Sequence, residues 1–349
     1  MTDASALAEP SPPRPAPSRN RFEQWMFDLS PFGTLLTSIL IFLFLAGTLA
    51  GTMALDHLPI FDPAGKVLGL SLNVWPALVL SLLIVVVLGT QRWVRSMDED
   101  DAVAYRAIFH YEAGNYPEFL DAPTKVRLRN ANIAGVIVGL ILVAMSSSYV
   151  ELLAHPFSAV WFVFVEVYVS LLIARGVVLS TRSSQMFDRS IQHDLVIDLL
   201  RIDLLNVIGR NRARTSLIWF AVAAAICLFF VGDNMAASTF LTLAFSAGMG
   251  LWTFLRPMER VHRRIRHAKD IELERVRKSI SGLREQAVSH ADAATRLQGL
   301  LAYEKRIEDV REWPFDQTTA LRLSAYILIP AIPWFGQAIA QSFVERMAH

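Results

Sequence analysis

The sequence predicts an all-α fold: a polytopic transmembrane helix bundle of six or seven spans with a cytoplasmic antiparallel helical hairpin. Three observations predict it. Hydrophobic residues make up 53% of the chain and the mean hydropathy is +0.38, which sets it apart from soluble domains. Uncharged apolar runs of about 20 residues recur, the length a helix needs to cross a bilayer core of about 30 Å. Arg and Lys gather at alternate ends of those runs, as they do where a chain crosses a membrane repeatedly.

Residues 1–29 read as a disordered tail. Five prolines between Pro10 and Pro17 oppose helix and strand alike. The tail does not read as a secretory signal, because the first apolar run starts only after about 30 residues and reaches full spanning length. Residues 30–255 form the expected bundle, with spans at about 33–54, 70–90, 132–152, 156–180, 217–232 and 236–255. Ser30-Pro31 is a plausible start for the first. A seventh apolar segment, 323–344, lies in the C-terminal stretch 317–349.

Orientation follows from the basic residues. Arg14, Arg19 and Arg21 precede the first span, Arg92 and Arg95 follow the second, and Lys125, Arg127 and Arg129 precede the third. Arg182 and Arg189 follow the fourth, Arg210, Arg212 and Arg214 precede the fifth, and Arg256 and Arg260 follow the sixth. The opposing loops, about 55–69, 153–155 and 233–235, hold Lys66 and no arginine. The N-terminus is therefore expected in the cytoplasm, and the protein in a plasma membrane. With 28 arginines against five lysines, the composition suits a GC-rich bacterial genome, hence a bacterial inner membrane.

Three cytoplasmic pieces remain. Residues 91–129 carry mixed charge and predict short helices between Gly and Pro breaks. In 186–209, Ile191, Leu195, Leu199, Ile202 and Leu205 recur at helical spacing, which predicts an amphipathic helix docked on the bundle or lying at the membrane surface. Residues 256–316 hold two apolar stripes. Val261, Ile265, Ala268, Val276, Ile280 and Leu283 form one, and Leu297, Leu300, Leu301 and Ile307 the other, with a break near Ser289–Ala293. That pattern predicts a coiled-coil-like hairpin, a surface for a homo-oligomer or a cytoplasmic protein partner.

Two stretches, DLLRIDLLNVIGRNRARTSLIWF before the fifth span and LLAYEKRIEDVREWPFD before the last apolar segment, resemble a group of uncharacterised bacterial multipass membrane proteins. The resemblance covers roughly the C-terminal half, and EWPFD is its most distinctive part. It implies the same architecture, with a cytoplasmic hairpin, and carries no activity or site residue.

The leading candidate for chemistry is Glu166, near the middle of the fourth span. An acid at that depth is costly and usually faces a protein interior or a watery cavity. Ser170, four residues on, shares its face; Arg175, nine residues on, is turned by roughly 180°, so no intrahelical pair forms and Arg175 is expected to snorkel. Glu166 must find a partner on another helix or remain protonated. One reading is a proton or cation site. The other is a neutral hydrogen bond holding two helices, with Ser147 or its neighbours Ser146 and Ser148 as partners.

Gly47-x-x-x-Gly51 and Gly135-x-x-x-Gly139 predict close-packing helix faces. Arg256, Arg260, Arg263, Arg264 and Arg266 follow a span directly and are candidates for lipid headgroups, where each basic residue is worth about 1 kcal/mol. Pro330, Pro333 and Gly336 must kink or break the last apolar segment. Read as a kinked span, it turns Gln337 and Gln341 into the bundle to line a path; read as two half-helices, it re-enters from the cytoplasm.

The composition also excludes. A net charge of +1 argues against nucleic-acid binding, which needs a basic excess. The single cysteine, Cys227, forbids an internal disulfide. His262 and His267 lack an acidic companion, so no metal site is expected. No Walker loop, GxSxG elbow, HExxH, kinase or dinucleotide fingerprint occurs, so neither an enzyme nor a cofactor is expected. Two functional classes remain: a channel or transporter-like subunit built around Glu166, or a non-transporting scaffold or sensor whose hairpin binds a partner.

Overall fold

The computed structural model describes residues 26–27, 30–62, 70–71, 73–109, 125–145, 154–232, 237–288 and 290–332. Its main elements are eight α-helices: α1 (Gly33–Leu55), α2 (Val74–Ile108), α3 (Lys125–Met145), α4 (Pro156–His193), α5 (Asn206–Cys227), α6 (Ala237–Ala287), α7 (Ala291–Glu308) and α8 (Gln317–Leu328). No strand occurs among the described residues; isolated bridges join Phe61 to Leu70 and Phe109 to Leu195. Among the described residues, five segments are long and apolar enough to cross a membrane: Gly33–Leu55, Val74–Val94, Val126–Met145, Pro156–Gln192 and Leu199–Phe230. The sixth expected span, 236–255, is not among them. Its apolar residues open α6, which continues without interruption past Arg256 to Ala287.

Side chains collect into two cores. The first lies among the apolar stretches and joins Leu49 and Met53 of α1, Leu80 and Ile84 of α2, Phe162 and Val165 of α4, and Val222 and Ile226 of α5. Around it, Leu35, Leu43 and Phe44 of α1 and Ile133, Ile137 and Leu140 of α3 point outward. An apolar outside suits lipid, which exerts no hydrophobic drive between helices, so this layer depends on close packing. The second core gathers Tyr105 and Ile108 of α2, Phe187 and Ile191 of α4, Ile208 of α5, and Met258, Val261 and Ile265 of α6. Helices α2, α4 and α6 thus run on beyond their apolar halves into a charged layer. Its buried Phe and Ile side chains, where water surrounds the layer, each contribute about 1.5–3 kcal/mol.

The long helices revise two expectations. Residues 91–108 continue α2 rather than forming short helices; residues 110–124 lie outside the described residues. The stretch 186–209 is not one amphipathic helix. Residues up to His193 end α4, Leu195 pairs with Phe109, and Leu199–Leu205 form a 3-10 turn capped by Asp198, whose carboxylate accepts from Leu200 N at 2.9 Å. Its apolar residues Ile191, Leu195 and Leu205 fill the second core instead of facing a membrane surface. The periodicity was real, but α4 ends at His193, and a separate 3-10 turn opens only at the Asp198 cap.

Helix α4 starts with Pro156 and has no side-chain cap of its own. Asp56, just past α1, supplies one: its carboxylate accepts from Ser158 N at 2.6 Å and from Phe157 N at 3.4 Å. Desolvation pushes the Asp56 carboxyl up, but the hydrogen bonds from Ser158 and Phe157 outweigh it and hold the group below its ordinary value of 3.8. A depressed carboxyl stabilises the fold above its unfolded pKa and loses that effect as pH falls through the folded value. Asp56→Asn is therefore expected to lower the melting temperature in detergent at pH 7, with the gap to wild type narrowing as the pH falls below the ordinary carboxylate value of 3.8. A gap that stays constant as the pH falls would show that the charge of Asp56 is not what caps α4.

Helices α6 and α7, with the exit of α7, meet through several side-chain pairs. Lys269 Nζ donates to Val310 O at 3.1 Å, the Tyr303 hydroxyl donates to Glu272 Oε1 at 3.2 Å, and Arg277 donates to Glu304 and Glu308 at 2.6 and 2.7 Å. These pairs join the second half of α6 to α7. Ala293 and Ile307 are buried on the inside, while Ile271 and Leu301 stay exposed. Helix α8 gives way to a 3-10 turn at Ile329–Ala331, where Pro330 sits; Pro333, Gly336, Gln337 and Gln341 lie outside the described residues.

Candidate functional site

Glu166 sits on a seam of α4. On one side Phe162, Val165 and Val169 pack into the first core. On the other, α3 comes so close that a Cβ on Gly135 would stand 2.5 Å from Leu171 Cα, and one on Gly139 would stand 2.7 Å from Val167 Cα and 3.2 Å from Ser170 Cβ. Glu166 is half-buried between these faces. Ser170, one turn on, is buried. Among the described residues, no hydrogen bond or ion pair reaches the Glu166 carboxylate. Ser147, the partner expected from sequence, lies outside the described residues.

The glycine pairs behave differently from one another. Gly135 and Gly139 make the expected close face, whereas nothing stands within 4 Å of a Cβ added to Gly47 or Gly51. Arg175 departs from expectation too. It does not snorkel freely: its Nε donates to Asn132 Oδ1 on α3 at 2.6 Å, a second tie between α3 and α4 within a turn of Gly135 and about two turns from Gly139.

The charged layer holds two buried aspartates, each held by two arginines on one helix. Asp101 of α2 receives Arg210 at 3.0 Å and Arg214 at 2.8 Å, both from α5. Asp188 of α4 receives Arg260 at 3.1 Å and Arg256 at 3.7 Å, both from α6. In each pair the arginines are four apart, so they project from one helix face. Arg212, between the first pair, is only 2% exposed and lies over the Phe187 ring at 4.2 Å, with Ser183 Oγ accepting from it at 3.3 Å. A buried guanidinium over an aromatic face is a cation–π arrangement that strengthens when water is removed.

The stretch 312–316 closes this layer. Trp313 stacks on His262 with ring centroids 4.4 Å apart, and His262 Nδ1 lies 3.0 Å from Glu312 O. Phe315 packs against Phe254 and so near Gly209 that a Cβ there would stand 2.7 Å from Phe315 Cβ. Asp316 then caps α8, accepting from Thr319 N at 2.8 Å; the hydrogen bonds from Thr319 hold its carboxyl below the usual range. EWPFD is thus a docking segment across α5 and α6.

Of the five arginines expected at lipid headgroups, Arg256 and Arg260 turn to Asp188, and Arg263 pairs with Glu259 one turn back. Arg264 is half-buried and Arg266 exposed. Among the described residues no cluster of His, Cys, Asp or Glu could hold a metal. Sequence reasoning took Arg210, Arg212 and Arg214 only as topology markers and passed over Asp101 and Asp188. A signal existed: Asp101 precedes Tyr105 and Ile108, and Asp188 precedes Ile191, at the three- and four-residue steps that share one helix face. An acid heading an apolar stripe is an acid facing inward.

No protein-family model, no curated protein and no solved structure matches this chain.

Proposed function

We propose that this integral membrane protein is a channel or transporter-like subunit that handles a small cation or proton at Glu166. The observation that carries the reading is the seam. A carboxylate midway along an apolar helix, between two tightly packed faces and without a partner among the described residues, is costly unless it serves a purpose. The charge asymmetry of the loops supports a cytoplasmic side, in a bacterial inner membrane, for the Asp101–Asp188 layer, the α6–α7 hairpin and the N-terminus. The apolar start of α6 then serves as a sixth span, and the segment after Pro330 as a proline-broken seventh with Gln337 and Gln341 inside. Arg263 and Arg266 lie where anionic headgroups would meet them.

A second reading is favoured by the distal α6–α7 pair. Its exposed Ile271 and Leu301 would suit a scaffold or sensor that docks a protein partner. One measurement separates the two. In proteoliposomes, wild-type protein is expected to pass protons or monovalent cations above the level of empty vesicles, and Glu166→Gln to lower that flux by about a hundredfold, the scale of a lost proton-handling group. Equal flux from wild type, variant and empty vesicles would remove the transport reading and leave the scaffold.

A further inference from the structure

The seam at Glu166 does not end there. Glu166 and Ser184 are 18 residues apart, five turns of 3.6 residues, so both lie on one line along α4. Ser170 and Ser180 flank that line, and Asp188, one turn beyond Ser184, continues it into the charged layer. Ser184 is 2% exposed, and its hydroxyl finds no hydrogen-bond partner among the described residues. A buried hydroxyl without a partner is uncommon in a settled interior, where serines ordinarily bond a carbonyl of their own helix.

The line has one apolar interval, about 15 Å between Ser170 and Ser180 at 1.5 Å per residue. Within it Ile173 and Val177 stand near the line, and Gly176 lies about 80° to one side of it. A Cβ there would stand 3.9 Å from the amide Nε2 of Gln91 on α2 and 3.8 Å from the Trp219 ring. Gln91 thus approaches α4 within the gap, at a distance that an added Cβ would meet in ordinary van der Waals contact. At the next step Ser180 Oγ accepts from Trp219 Nε1 at 3.2 Å. Asp188, 5% exposed, then closes the line under Arg256 and Arg260.

We propose that this polar face of α4, from Glu166 through Ser170, Ser180 and Ser184 to Asp188, with Gln91 bridging its middle, is a proton route whose cytoplasmic end is held shut by Arg256 and Arg260. The inference rests on Glu166 being an ion-handling carboxylate, and it names the ion. Single hydroxyls and one amide, spaced a turn or more apart, relay a proton through intervening water. They do not form the ring of oxygens that must replace the hydration shell of a metal cation. A proton leaving the Glu166 carboxyl passes along hydroxyls that donate one hydrogen as they accept another, and arrives on the Asp188 carboxylate once the arginines swing away; no redox change is involved.

The test is proton flux into proteoliposomes, driven by a potassium diffusion potential and read with an internal pH dye. Wild type is expected to acidify the lumen, and Glu166→Gln to fall to the empty-vesicle level. Ser184→Ala and Gln91→Leu should each slow flux by about tenfold, because a hydroxyl or amide is only partly replaced by water. Ser184→Thr, which keeps the hydroxyl, should exceed Ser184→Ala. Arg256→Gln with Arg260→Gln should raise flux. If Glu166→Gln abolishes flux while Ser184→Ala and Gln91→Leu match wild type, the route is wrong and the Glu166 reading stands. If wild type moves a monovalent cation and no protons, the ion is misnamed and the route falls with it. If wild type equals empty vesicles for every ion, both readings fall. Gln91→Leu keeps the test open should Ser184→Ala not fold.

Discussion

Gly135→Leu and Gly139→Leu are expected to unseat α3 from α4. The first β-carbon would stand 2.5 Å from Leu171 Cα and the second 2.7 Å from Val167 Cα. Both obstacles are backbone, which cannot rotate away as a side-chain tip can. Overpacking of this kind costs about 1–3 kcal/mol where neighbours can shift, and the upper end applies where backbone must move. In lipid the loss is not offset by hydrophobic burial, since a separated helix still meets an apolar solvent. The Arg175–Asn132 hydrogen bond would be strained by the same displacement. Thermal unfolding in detergent and cysteine crosslinking between α3 and α4 would read the effect. Gly47→Leu is the control, because nothing stands within 4 Å of its added Cβ. Should all three variants melt alike, close approach is not what joins α3 to α4.

Asp101→Ala is the second large effect. It leaves Arg214, whose side chain is 15% exposed, without the carboxylate that receives it at 2.8 Å. Arg210, at 43% exposure, can turn to water and adds little. Removing one partner of a buried pair costs about 3 kcal/mol, because the charge left behind is neither paired nor hydrated. Adding Arg214→Met should return most of that loss, since an apolar side chain of similar reach suits a site beside Tyr105 and Ile108. Limited proteolysis of α2 and the melting temperature both report it. Breaking the exposed Arg263–Glu259 pair, at 72% and 57% exposure, should change neither, as expected of a surface pair. A neutral Asp101→Ala would mean that α2 and α5 are joined by apolar contacts alone.

Legibility in the sequence was uneven, for physical reasons that particular residues display. The helix starts near Gly33 and Pro156 and the break near Ser289 were readable because each depends on residues within a turn or two. The amphipathic reading of 186–209 failed just after His193, where the chain leaves α4 and Leu195 pairs with Phe109, a partner 86 residues away that no local pattern reveals. Gly47 and Gly135 sit in the same four-residue motif, yet one meets open space and the other the backbone of α4. Glu166 was visible as an oddity from its depth alone. Its seam was not, because that required knowing which face of α4 meets α3.

The sequence by itself determined the helical class and the apolar helices long enough to cross a membrane, because hydropathy and helix period are sums over neighbouring residues. Tertiary structure alone decided which polar groups are buried. Asp101, Asp188, Arg212 and Ser184 differ from exposed residues of the same types only in what distant helices bring against them. Burial sets the worth of a charge or hydroxyl through desolvation, and desolvation is a property of the assembled packing.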